Sequence, residues 1–236
     1  MSVYVYNVNM SSVNQNSSTS QPVRLPLSRD RILQVAVEIM DKEGLGSLTM
    51  RKLGHDLDVE AMALYRHVHE KADILDGIVD LVLGEIDLSP CSENWKASLR
   101  ASAISAHEAL LRHPWTCGLV LSPNLKAIPS RMLYIESILA RLRAAGFSPS
   151  AASRGYHAID SHILGFTLWE LGHTIPDDSS GELLGTFIRQ FDYASYPFLG
   201  EHLLEHLKES DSEEIGDFEF GLDLILDGIE GIVQSR

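Results

Sequence analysis

Apolar residues recur every three or four positions through most of the chain, the spacing of amphipathic helices. In SRDRILQVAVEIMDKEG, Ile32, Val35, Ala36, Ile39 and Met40 share one face, with Ser28 placed to cap the start and Gly44 to stop the end. TMRKLGHDL predicts a short second helix over 49–57, capped by Thr49, with Leu53 and Leu57 inward. EAMALYRHV predicts a third over 60–68, with Leu64 and Val68 on one side. KADILDGIVDLVLGEIDL reads as a fourth over 71–88.

After a break at SPCSEN, a helix runs from Trp95 to Pro114, and a long amphipathic helix ends at Gly146. A further helix over 148–173 is apolar or small nearly all round, so it belongs inside a bundle. A helix over GELLGTFIRQFDYASYP should stop at Pro197, and FEFGLDLILDGIEGIV should form the last one, over about 216–234. No segment alternates as a strand does, and no glycine-rich phosphate loop occurs. The expected fold is all-α.

Composition refines this picture. The first 23 residues carry no charged side chain and are rich in Ser and Asn, so residues 1–26 read as a disordered arm rather than a secretory signal. No run of 18 apolar residues predicts a membrane span. Cys91 and Cys117 lack metal-ligand or redox spacing, which fits a reduced, cytoplasmic protein. The formal net charge is -14, unevenly placed. Residues 24–71 hold eight basic and eight acidic side chains, whereas 72–236 hold 11 and 25. A neutral end on an acidic protein hints at a polyanionic partner.

Within that end, TMRKLGHDLDVEAMALYRHVHEK concentrates cations and histidines. Two short helices joined by a short turn have helix-turn-helix spacing. Such a pair presents its second helix to a major groove, with basic and hydroxyl groups on phosphates. The solvated face of an ordinary helical bundle has the same spacing. The residues alone leave both open.

The segment from Leu27 to Leu83 resembles the DNA-binding domain of the tetracycline-repressor (TetR) family. RILQVAVEIMDKEG, LTMRKLGHDL and above all LYRHVHEKADIL carry the likeness. ALLRHPW through AAGFSPSAASRGYHAIDSHILGFTLWE is similar to the effector-binding domain of the tetracycline-repressor branch. The resemblance implies a helix-turn-helix domain over 27–72 and a helical effector-binding and dimerisation domain over 73–236. It implies a homodimeric, ligand-responsive repressor with a pseudo-palindromic operator; neither a cofactor nor a metal site is expected. It places DNA contacts at Met50 and Arg51, at Ala61, Met62 and Ala63, at Tyr65, Arg66 and His67, and at Lys71. Two departures stand out. Asp58 replaces the usual turn glycine, and Asp tolerates the left-handed conformation. Gly54 replaces a usual alanine, costing about 1 kcal/mol of helix propensity while allowing closer packing.

The same likeness makes 148–173 and about 216–234 the dimer helices. Candidate effector contacts are His107, Leu110, Leu111 and Trp115, then Met132, Ile135 and Glu136, then His157, Asp160, Leu164, Phe166 and Trp169. They form a mostly apolar set with a few polar groups, as an apolar small molecule requires. Tetracycline–magnesium recognition does not carry over, because Asp87, Val120 and Trp169 stand at the corresponding positions. Two other classes compete for the same features. A helical enzyme finds no HExxH, paired Glu-x-x-His or nucleophile elbow in this chain. A helical interaction module without DNA affinity would show no salt-sensitive retention on heparin.

Overall fold

The computed structural model describes residues 26–90, 94–122, 128–173, 192, 194–206 and 216–234. Residues 1–25 of the expected arm, Cys91 and most of the helix expected from Gly181 to Pro197 lie outside them. All regular structure among the described residues is helical.

Helix α1 (Arg29–Glu43) starts where Ser28 Oγ accepts the Arg31 N–H at 3.2 Å. It stops at Gly44, whose φ of 80° no branched side chain would favour. A 3-10 turn (Leu45–Ser47) leads to α2 (Met50–Asp56), where Thr49 Oγ1 accepts the Lys52 N–H at 3.1 Å. Helix α3 is Ala61–Leu64, shorter than the expected 60–68. Beyond Leu64 the amides of Arg66 and His67 bond three residues back, to Ala63 and Leu64. This tighter winding drives Val68 into the core, 3% exposed.

Helix α4 (Lys71–Gly84) also ends early, four residues short of the expected 88. Side chains of the next long helix, α5 (Trp95–Arg112), pull the following residues away. Ser105 Oγ accepts the Asp87 N–H at 2.9 Å and Ser102 Oγ donates to the Asp87 carbonyl at 2.8 Å. The Leu88 carbonyl accepts from the Arg141 guanidinium.

The remaining elements are α5 (Trp95–Arg112), α6 (Trp115–Val120), α7 (Pro129–Ala144), α8 (Pro149–His173), α9 (Pro197–His206) and α10 (Asp217–Gln234). Pro197 opens α9 rather than ending a helix; its missing N–H costs nothing in a first turn. Helix α8 packs on α5, α7 and α10. Helix α4 bridges α1 on one side to α5, α6 and α7 on the other. One continuous apolar core runs from Ile32 and Leu33 to Leu222 and Leu226. Each fully buried Leu or Ile contributes about 1.5–3 kcal/mol. Arg100–Asp223 at 2.7 Å and Lys96–Glu230 at 3.0 Å tether α10 to α5 at the surface, where such pairs add little.

Candidate nucleic-acid interface and effector cavity

The α2–α3 unit is held by its turn. Asp58 sits at φ 54°, the left-handed region that its short polar side chain tolerates. The Val59 N–H donates to the Gly54 carbonyl at 2.9 Å. A Cβ added at Gly54 would lie 2.9 Å from the Val59 carbonyl oxygen and 3.1 Å from the Ala61 nitrogen. The two departures are thus one device: Gly54 lets the turn close and Asp58 makes it.

This geometry leaves much of the expected contact set outward. Met62 is 75% exposed and Tyr65 45%, while Leu64 beneath them is fully buried. Arg51, Arg66 and Lys71 are exposed. Met50, Ala61 and Ala63 are half-buried, with Met50 packed against the core. Lys52 is engaged at 2.7 Å with Glu43. His67 is exposed but borders a groove of about 420 Å³ with Asp73, Asp76 and Asp80, acids that repel phosphate.

The expected effector contacts divide between two places. Leu110, Asp160 and Leu164 border a small internal cavity of about 30 Å³. Its other walls include Leu83 at the end of α4, Ile86 just beyond it, Val120 of α6, Arg131, Tyr134, Tyr156 and Ile163. His107, Phe166 and Trp169 border a separate cleft of about 320 Å³ between α5, α8 and the start of α10. There His107 stacks on Phe218 at 3.9 Å between ring centroids, and the His162 ring lies on the same phenyl at 5.0 Å.

The others border neither. The Trp115 indole donates to Asp41 at 2.7 Å, joining α6 to α1. Leu111 and Ile135 are half-buried. Met132, Glu136 and His157 are exposed. Asp87, at one of the positions where tetracycline–magnesium recognition fails to carry over, is exposed, with its carboxylate on the Ser89 N–H. Tyr134 and Tyr156 escaped sequence reading. The usable signal was a helix repeat, since Tyr156 and Asp160 are four apart on α8.

Electrostatics distinguish the small cavity. Tyr156 donates to Asp160 Oδ2 at 3.3 Å. Burial raises the Asp160 carboxyl above its ordinary value, against the opposing pull of the Tyr156 bond, of Arg131 and of the Tyr134 hydroxyl. Burial, and next the Asp160 charge, push Tyr156 up to about 12. Burial, and next the Asp160 charge, also raise Tyr134 well above its ordinary value. Its hydroxyl is enclosed, and the group it acts on is the Asp160 carboxylate. In the cleft, burial lowers His107, opposed by the charges of Glu170 and Glu219. Cys117 is a free buried thiol, raised by burial. Among the described residues no three His, Cys, Asp or Glu side chains gather as a metal site, and no helix is long and apolar enough to cross a membrane.

This arrangement of a small helical head, a bridging α4 and a larger bundle is shared with known regulators. Residues 89–233 match the Tetracyclin repressor-like, C-terminal domain. An HTH-type transcriptional regulator of Saccharopolyspora erythraea is 34% identical over 152 residues, 64% of this chain; the match spans 63% of that relative's length. The HTH-type transcriptional repressor DrrR1 of Streptomyces coeruleorubidus is 30% identical over 89% of this chain and 80% of its own. The crystal structure of apo ActR from Streptomyces coelicolor superposes with a TM-score of 0.70 at 25% identity, covering 90% of this chain and 99% of ActR. ActR in complex with actinorhodin gives 0.68 at 26% identity, covering 88% and 98%. The chain belongs to the TetR family of transcriptional regulators.

Proposed function

We propose that this protein is a ligand-responsive transcriptional repressor that binds a pseudo-palindromic operator as a homodimer and lets go when an apolar small molecule enters the α4–α8 bundle. In this reading residues 27–72 are the DNA-reading head and 73–236 the effector-binding and dimerisation body. It works in the cytoplasm and catalyses no reaction. The observation that carries the reading is the closed α2–α3 turn, which presents Met62, Tyr65 and Arg66 outward on a buried Leu64 platform.

Arg51 suits a guanine edge or a phosphate, and Tyr65 a phosphate. Lys71 stands at the start of α4, where helix dipole and cation both favour phosphate. The acidic body points away from DNA and disfavours wrong orientations. Helices α8 and α10 supply the dimer face. Phe220 and Leu224 are about 60% exposed on α10. Gly228 and Gly231 continue that stripe, with nothing within 4 Å of an added Cβ. ActR, a relative crystallised with actinorhodin, supports small-molecule control.

The test combines sedimentation of the full chain with footprinting on the DNA beside its own gene. The expected result is a dimer protecting two half-sites about one helical turn or more apart. A monomer at micromolar concentration, or no protected site at low salt, overturns the reading.

A further inference from the structure

We infer that this protein reads its operator in part through a pyrimidine methyl group. Met62, at the tip of α3, packs on a thymine methyl in the major groove of each half-site, and 5-methylcytosine satisfies it as thymine does. This deepens the reading of the chain as a DNA-binding repressor and rests on it.

The inference starts from what α3 carries. Ala61, Met62 and Ala63 open the helix, and none has a side-chain donor; the Met62 sulfur is a weak acceptor. Met62 is 75% exposed, a large apolar side chain that its own fold leaves uncovered. Leu64, two residues on, is fully buried, so the orientation of this short helix is fixed from beneath. Ala61 and Ala63 are short and half-buried, which lets Met62 reach beyond them toward a surface brought close. Met50, the other methionine of the expected contact set, is half-buried against the core and has less surface to give.

The flanking charges say which surface that is. Arg51 on α2, Arg66 after α3 and Lys71 at the start of α4 are exposed cations, complementary to phosphate. Along the major groove of a duplex the apolar group on a base edge is the thymine methyl; the other features there are donors and acceptors. A thioether serves those poorly, whereas its unbranched, polarisable chain adapts well to a small apolar target. Glu60, just before α3, is exposed too, but a carboxylate accepts from the amino group of cytosine or adenine and does not compete for thymine. Cytosine methylated at the same ring carbon presents the same methyl in the same place, so a reader of this kind accepts it.

The test starts from the site protected on the DNA beside the gene. Symmetric pairs of its thymines are replaced in turn by deoxyuridine, which keeps the pairing and removes the methyl alone. Fluorescence anisotropy with the full-length dimer should show one such pair at which affinity falls by about fourfold per half-site. That is the ~0.8 kcal/mol of one buried methyl at about 1.4 kcal/mol per factor of ten. At that pair, 5-methylcytosine should bind about fourfold per half-site more tightly than cytosine. Met62→Ala should bind the thymine and deoxyuridine duplexes equally and lose the preference for 5-methylcytosine. A melting curve of the variant confirms that it folds. A protected site at which no thymine methyl matters, or a methyl effect that persists in Met62→Ala, overturns the inference and leaves the repressor reading standing. Absence of any protected site at low salt overturns both.

Discussion

Asp41 of α1 accepts the Trp115 indole N–H at 2.7 Å, and the same carboxylate oxygen lies 2.8 Å from His113 Nδ1. His113 Nε2 is 3.3 Å from Glu85, the residue that closes α4. One short polar chain thus joins the head to α6 and to the end of α4. A shift of α4 against the bundle must carry Asp41 along or break the chain.

Trp115→Phe keeps the ring and removes the N–H. It should lower stability by about 1–3 kcal/mol, since it strips a bond from a charged acceptor. For a chain of this size, that is a drop in Tm of roughly 2–12 °C. A double-mutant cycle with Asp41→Asn should show coupling of at least about 0.5 kcal/mol; additive effects would mean that the two groups act independently.

On DNA, Arg51→Ala should cost about 1–3 kcal/mol and relax base preference at one symmetric position. Lys71→Ala should weaken all sequences and flatten the salt dependence. Lys52→Ala is the contrast, because that ammonium is already tied to Glu43 at 2.7 Å and should matter least. Fluorescence anisotropy between low and moderate salt ranks the three. Equal losses at Lys52 and Lys71 would contradict the placement.

Gly54→Ala gains about 1 kcal/mol of helix propensity and should still destabilise. The new methyl meets backbone, the Val59 carbonyl at 2.9 Å, so the turn itself must open. Calorimetry should show a lower Tm, and operator affinity should fall more than Tm alone explains. A stabilised, fully active variant would show that the turn yields freely.

The head was legible because its signals are local. Thr49 announces a cap three residues before its partner amide, and Asp58 sits where the chain must reverse. The cavity was not legible, because Tyr134, Asp160 and Ile86 come together from α7, α8 and the segment after α4. Sequence periodicity marks each as inward without saying which inward neighbour it meets. Trp115 shows the limit well. An apolar ring after a helix stop looked like a pocket wall, yet its N–H is committed to Asp41, 74 residues away.

Two buried groups give opposite pH responses. The folded-state value of His107 is lowered, so its contribution is complete above the unfolded value of about 6.5 and is lost as pH falls below it. Asp160 is raised, so its ionised form costs stability at neutral pH and that cost disappears as pH falls through the folded value. Asp160→Asn should therefore raise Tm at neutral pH, with the gain shrinking as pH falls into the ordinary carboxylate range. His107→Gln should blunt the acid-side loss. Parallel melting curves across that range test both; a pH-independent gain for Asp160→Asn would contradict the sign.

At the proposed dimer face, Leu224→Arg places charge on a side chain 59% exposed in the single chain. The subunit should fold with nearly unchanged Tm at high dilution, yet sediment as a monomer and bind the operator at least about tenfold more weakly. A dimer that survives the change would place the interface elsewhere.

A cavity that holds about one water and has the end of α4 as a wall also sets a clock. Entry of anything larger waits for that wall to swing aside, so the association rate saturates at the frequency of opening, however much ligand is present. On the proposed reading, stopped-flow association rates should therefore level off at high ligand concentration instead of rising in proportion to it.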